Sequence, residues 1–167
     1  MKYAEIKPIT IENGDGIRVS LFVSGCRNMC PGCFNTCAKS FDYGKDFSQE
    51  TIDYIIKLLE PSYIQGITIL GGEPFEPENQ IGILPLLEQI KEKLPTKDIW
   101  CYSGYIYEKD LIPSGKKYVN NITDKIFSMI DVLIDGPFIL EKKNLSLKYR
   151  GSENQKIITI NKKYIFK

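Results

Sequence analysis

The run Ser24-Gly25-Cys26-Arg27-Asn28-Met29-Cys30-Pro31-Gly32-Cys33 decides how the rest of the chain is read. It sets three cysteines in the spacing C-x3-C-x2-C, directly after an apolar strand, Val19 to Val23. Gly25, Pro31 and Gly32 let the backbone turn sharply enough for three thiolates on one short loop to face one centre. A structural zinc site closes on four protein ligands, whereas a reactive centre keeps one position open. Thiolates also suit iron–sulfur clusters. The spacing therefore points to a cluster held by Cys26, Cys30 and Cys33, with one iron open to a small molecule. Cys37 follows Cys33 closely, so a four-sulfur zinc knot is a second reading of the same residues. A disulfide framework fits less well, because the five cysteines are odd in number and no secretory signal precedes the loop.

The 167 residues, 43% hydrophobic and 26% charged, suit one domain with a sizeable core. A net charge of +1 offers no field for nucleic acid or an acidic membrane surface. The start, Met1 to Lys7, lacks the apolar core of a signal peptide. No apolar run approaches the roughly 20 residues of a membrane span. A reducing cytoplasm is the expected compartment. There is no histidine. That removes the commonest general base and argues against a hydrolytic metalloenzyme, but not against radical chemistry, in which the cofactor breaks the bond.

Outward from the cysteine loop, Tyr3 to Ile9 and Ile17 to Val23 read as a plain hairpin turning at Asn13-Gly14-Asp15-Gly16. Ser48 is the expected N-cap of a helix with an apolar stripe at Ile52, Ile55, Ile56 and Leu59, stopped by Pro61. A second strand, Gly66 to Leu70, ends in Gly71-Gly72-Glu73-Pro74-Phe75. Paired glycines there admit a ligand close to the backbone, and Glu73 offers an anionic oxygen to a cationic group. The same residues also make an ordinary strand-to-helix turn.

The helix that follows runs to Leu94 and contains Pro85, expected to kink it or to start a second segment. Lys97 to Tyr102 is a third strand closing in Ser103-Gly104-Tyr105, with Cys101 as a small core residue. After a loop around Pro113 comes a helix near Asn121 to Met129. A fourth strand, Ile130 to Ile134, ends in Asp135-Gly136-Pro137-Phe138, and Lys156 to Ile160 is a final strand.

Strands alternating with helices predict a parallel sheet with right-handed crossovers. A closed eight-fold barrel takes about 250 residues, so this chain builds only part of one. The unusual loops all follow strands, at the end of the sheet where such folds bind ligands. Four loops should line one pocket, open at the side and suited to a macromolecular substrate.

These motifs carry a resemblance. The C-x3-C-x2-C loop with GGEP after the next strand resembles the radical S-adenosylmethionine (SAM) enzymes. CPGCFN at 30–35, GGEPFEPEN at 71–79, YSGY at 102–105, DVLIDGPF at 131–138 and LSLKYRGSENQ at 145–155 are similar to one family among them. That family is the activating proteins of anaerobic ribonucleoside-triphosphate reductases. The resemblance implies a laterally open partial (β/α) barrel in a single domain over 1–167, and a [4Fe-4S] cluster on Cys26, Cys30 and Cys33. It implies SAM on the fourth iron, its methionyl end at Gly71, Gly72 and Glu73, and its adenine near Gly32, Cys33 and Phe34. The implied partners are the glycyl radical subunit of the reductase and flavodoxin or another low-potential electron donor, with no nucleic acid and no membrane.

Many members of the superfamily have an aromatic residue where Gly32 stands, so Phe34 or Tyr102 is the expected substitute against adenine. Ser103 and Asp135, at strand ends, are candidates for the ribose hydroxyls or the methionyl carboxylate, or else turn residues. Arg150 is expected to face the partner or cover the barrel edge, and Cys37 to be no ligand. The rival readings are an activase of another glycyl radical enzyme of the formate-lyase type, and a zinc-binding interaction module.

Overall fold

In the computed structural model, which describes residues 1–161, seven strands join one sheet. They are β1 (Lys2–Thr10), β2 (Ile17–Val23), β3 (Lys45–Asp46), β4 (Ile64–Gly71), β5 (Asp98–Tyr102), β6 (Val132–Asp135) and β7 (Lys156–Thr159). Four helices intervene: α1 (Gln49–Leu59), α2 (Pro77–Lys93), α3 (Tyr107–Asp110) and α4 (Ile122–Met129). The strand order is β3-β1-β2-β4-β5-β6-β7.

The sheet is mixed, not wholly parallel. β2, β4, β5 and β6 run parallel, while β1, β3 and β7 join antiparallel at the two edges. At one edge the cause is the tight turn at 11–16, which can return the chain only antiparallel. At the other, residues 136–155 contain no helix long enough for a crossover, and β7 pairs back on β6.

Alternation along the strands sorts the sheet into two faces. Val19, Leu21, Ile67, Ile69, Ile99, Cys101 and Leu133 face α1, α2 and α4 and form the main core. Cys101 is a core residue, as its sequence context suggests. Arg18, Ser20, Phe22, Thr68, Leu70, Trp100, Tyr102, Val132 and Ile134 occupy the opposite face. There Trp100, Val132 and Ile134 make a second, smaller cluster with Tyr102, Tyr149 and Ile157.

α1 begins where the sequence sets it. Ser48 and Thr51 form a reciprocal capping box, and Ile52, Ile55, Ile56 and Leu59 are buried. α2 carries Pro77 in its first turn, where the missing N–H costs nothing. It continues through Pro85 as a single helix, and no second segment starts there. Pro85 and Ile81 both lie on the exposed side, so the carbonyl that loses its intrahelical partner is open to water. Phe75 stacks on Phe127 of α4 at 5.3 Å, pinning the turn after β4 to the helical layer.

Candidate metal and cofactor site

At the carboxyl ends of the parallel strands the four strand-end loops enclose a cavity of about 230 Å³. Cys26, Cys30 and Cys33 lie in its wall, with Phe34, Gly71, Gly72, Glu73, Tyr102 and Ser103. The loop 24–36 has no regular structure and is tied down by backbone bonds. Gly25 N–H donates to the Ala38 carbonyl at 2.8 Å and Cys26 N–H to that of Lys39 at 3.0 Å. The Glu73 N–H donates to the Gly25 carbonyl at 2.9 Å, joining the cysteine loop to the turn after β4. A Cβ on Gly72 would stand 2.7 Å from the Gly25 carbonyl oxygen and 2.8 Å from that of Ala38. Gly72 therefore lets the two loops touch, a role distinct from admitting a ligand.

Glu73 is the chemical centre of this junction. It is 1% exposed. One carboxylate oxygen accepts from the Phe75 N–H at 3.0 Å and the Ser103 hydroxyl at 2.9 Å. The other accepts from the Gly104 N–H at 2.7 Å and the Asn28 amide at 3.1 Å. Among the described residues no lysine or arginine pairs with it; every donor is neutral. Burial pushes its carboxyl up to about 7, against the pull of the hydrogen bonds. Burial likewise raises the Cys26 thiol to about 11, with Glu73, Glu76 and Cys30 adding to it.

Glu76 is equally buried and treated differently. It accepts from the Arg27 N–H at 2.9 Å, the Arg27 guanidinium at 2.7 Å, the Tyr105 hydroxyl at 2.7 Å and Lys117 Nζ at 2.7 Å. Burial alone would raise its carboxyl, but the bonds from Lys117, Tyr105 and Arg27 outweigh burial and hold it below the ordinary carboxylate range. Arg27 also reaches Glu78 and lies 4.3 Å from the Phe41 ring centroid, so the cysteine loop is clamped to the start of α2. Asn79 completes the frame, donating to the carbonyls of Ser24, Gly25 and Glu73 at 3.0, 3.3 and 2.9 Å.

The other candidates divide. Ser103 serves Glu73 and also accepts from the Tyr105 N–H, so it is at once a turn residue and part of the wall. Asp135 is buried outside the cavity wall, and its carboxylate accepts from the Tyr107 N–H at the start of α3. Gly32 also lies outside the wall, with φ of 72° and its Cα facing Leu140 and Phe138. The Tyr102 hydroxyl donates to the Tyr149 carbonyl. Arg150 donates to the Gln155 carbonyl, which keeps it in the segment that closes the far side. Cys37 is exposed and lines a different cavity.

The cysteines fit a cluster better than a single ion. Tetrahedral zinc would draw its sulfurs to about 3.8 Å from each other, whereas each thiolate of an iron–sulfur cubane binds a different iron. Three partly exposed thiols in one cavity wall, with the fourth turned to another cavity, suit the second arrangement.

Residues 12–158 match a protein family described as a 4Fe-4S single cluster domain. The chain is 38% identical over 157 residues to the anaerobic ribonucleoside-triphosphate reductase-activating protein of Escherichia coli (strain K12), covering 93% of this chain and 96% of that protein. The proteins of the same name from Vibrio cholerae and from Enterobacteria phage T4 are 37% and 38% identical over 159 residues. Each match covers 94% of this chain, with 97% of the first protein and 93% of the second. The chain belongs to the anaerobic ribonucleoside-triphosphate reductase-activating protein family.

In this family member the polar frame rests on residues that local sequence pattern does not single out. Glu76 and Asn79 lie inside GGEPFEPEN, so the motif itself carried the signal, but only tertiary contacts reveal which of its acids meets cations. Arg27 and Asn28 stand between cysteines and give no periodic cue. Gly151 and Gln155, from LSLKYRGSENQ, reach the cavity wall. Gln155 donates to the Gly136 carbonyl and accepts from the Gly151 N–H, holding that wall closed. Among the described residues no helix is long and apolar enough to cross a membrane.

Proposed function

We propose that the chain activates an anaerobic ribonucleoside-triphosphate reductase by generating a glycyl radical on it, using SAM at a [4Fe-4S] cluster. The observation that carries this reading is Glu73. A carboxylate removed from water without a counter-charge is costly, and this one lies in the same wall as the three cysteines. It is a socket for a cation, and the ammonium group of SAM supplies one.

Cys26, Cys30 and Cys33 would hold three irons and leave the fourth for the amino and carboxylate groups of SAM. When bound, cluster and SAM would supply one-electron reductive cleavage of SAM coupled to removal of a hydrogen atom from a glycine of the reductase, with methionine and 5′-deoxyadenosine as the products. The chain binds, orients and excludes water. Gly71 and Gly72 bring backbone to the methionyl end, Ser103 and Gly104 fix the Glu73 carboxylate, and Phe34 and Tyr102 flank the adenine. Leu70 and Phe138 keep the remaining walls apolar. Asp135 acts from behind, at the start of α3. The electron comes from flavodoxin or a similar low-potential carrier.

The names of the relatives support the reductase as partner. The helices on one face and the sequential order of the four parallel strands support reading the sheet as a partial, laterally open radical SAM barrel. We take it as one domain over 1–167, of which 162–167 lie outside the described residues.

The test mixes the anaerobically reconstituted protein with reductase, SAM and reductant. Expected are 5′-deoxyadenosine and an electron paramagnetic resonance doublet on the reductase in equal amounts. A doublet on a formate-lyase-type enzyme and none on the reductase would transfer the activity to that rival. A colourless, zinc-containing protein with neither product would end the reading.

A further inference from the structure

A second cavity, of about 460 Å³, lies beside the first and shares Phe34 and Asn35 with it. Its floor is Phe22, with Lys7 Nζ 5.3 Å from the ring centroid, and Cys37 stands in its wall. β1 contributes Ala4, Glu5 and Lys7. β3 pairs with β1 only at Lys2 and Tyr3, and Gly44 packs against Tyr3 and Ala4, so among the described residues the outer edge of β1 from Glu5 onward has no strand against it. Pro8, lacking an N–H, ends the stretch that could pair. Phe34, the partition between the cavities, is 78% exposed although it is a large aromatic.

Charge narrows the occupant. The lining holds one cation, Lys7, and one anion, Glu5, so its formal charge cancels. That does not suit a phosphate or a nucleotide, which gathers cations and helix N-termini. It does suit a neutral main chain with alternating donors and acceptors, met by the amide of Asn35, the hydroxyls of Thr36 and Tyr43, and a free strand edge.

We infer that the second cavity receives an extended, glycine-bearing segment of the partner reductase, which pairs with the free edge of β1 and carries its glycine past Phe34 into the first cavity. This rests on the function proposed above. The absence of a side chain is what lets a Cα pass a partition made by Phe34 and Asn35. The segment covers the exposed Phe34 ring as it does so.

Cys37 gives the test its handle, because it is exposed while a bound cluster occupies the other three thiols of its loop. The cluster-loaded protein is labelled at Cys37 with a benzophenone maleimide and irradiated with the reductase. Thr36→Trp is the second, purely steric probe. The expected cross-link falls in the glycine-bearing segment. Both alterations should lower the glycyl doublet at least tenfold while dithionite-driven SAM cleavage stays within twofold of the unaltered protein. An undiminished doublet in both, or cross-links only elsewhere on the reductase, overturns the cavity assignment and leaves the activity standing. Loss of SAM cleavage in both also overturns it, since the two cavities would then be one ligand site. Absence of SAM cleavage in the unaltered protein overturns the functional reading instead.

Discussion

The face of the sheet away from the helices buries a cation at one end and an anion at the other, and the protein completes only the first. At the amino end of the parallel strands Arg18 is 0% exposed. It is paired with Asp98, donates to Thr68 and to the carbonyls of Asp15 and Ile67, and lies 5.1 Å from the Trp100 ring centroid. Tyr149 closes that end, its hydroxyl on Asp15 at 2.7 Å and its ring edge-on to Trp100 at 5.2 Å. At the carboxyl end Glu73 has four neutral donors and no cation among the described residues. A buried ion met from within is architecture. A buried ion met only by neutral groups leaves a charge for a ligand to supply.

The largest effect that could break this contrast is loss of the cluster. Cys30→Ala should abolish iron and sulfide incorporation, whereas Cys37→Ala should retain both in full, measured after anaerobic reconstitution. Equal loss in the two variants would return Cys37 to the ligand set.

Next comes the closed end. Arg18→Met leaves Asp98 buried without its partner and should cost about 3–5 kcal/mol in denaturant unfolding. SAM affinity should be unchanged at temperatures where the variant is folded. A weakened SAM complex would mean that the two ends are one site.

The open end sharpens the contrast through pH. Glu73 titrates at about 7 when folded, against an ordinary 4.5. The folded protein thus holds that proton more tightly than the unfolded chain. The contribution of this group is full below about pH 4.5 and is lost as pH rises through about 7. In the cluster-free protein it should remove about 3 kcal/mol across that window. Glu73→Gln should flatten this part of the stability profile and, with the cluster present, weaken SAM at least tenfold. An unchanged profile would mean that the carboxylate is already compensated.

The smallest effect concerns the frame. Asn79→Ala removes the three hydrogen bonds by which α2 holds the cysteine loop and the turn after β4, and should cost about 1–3 kcal/mol in thermal unfolding of the cluster-free protein. Cluster and SAM binding should persist with looser affinity.

Periodicity explains what could be read without coordinates. The Ser48 cap, the Ile52-Ile55-Ile56-Leu59 stripe and the four central strands are local patterns, and the cap and stripe lie where their pattern puts them while the strand ends fall within two residues of it. β3 and α3 are too short to show a period. The antiparallel direction of β7 is decided by the path of 136–155, which has no repeating signal. In the site, Glu73 and Asp135 look alike as acids ending strands. One enters the cavity wall, and the other is spent on the Tyr107 N–H. Sequence distinguishes residue types at strand ends. It does not distinguish which buried carboxylate faces the cavity.

The most direct test of the central claim is electron paramagnetic resonance of the anaerobically reconstituted, reduced protein with and without SAM, in the wild type and in Glu73→Gln. The account predicts a reduced [4Fe-4S] signal that shifts on adding SAM to the wild type. In the variant the same unliganded signal should shift only at much higher SAM concentration. A cluster signal indifferent to SAM, or equal responses in both proteins, would contradict the assignment of the open carboxylate end as the SAM socket.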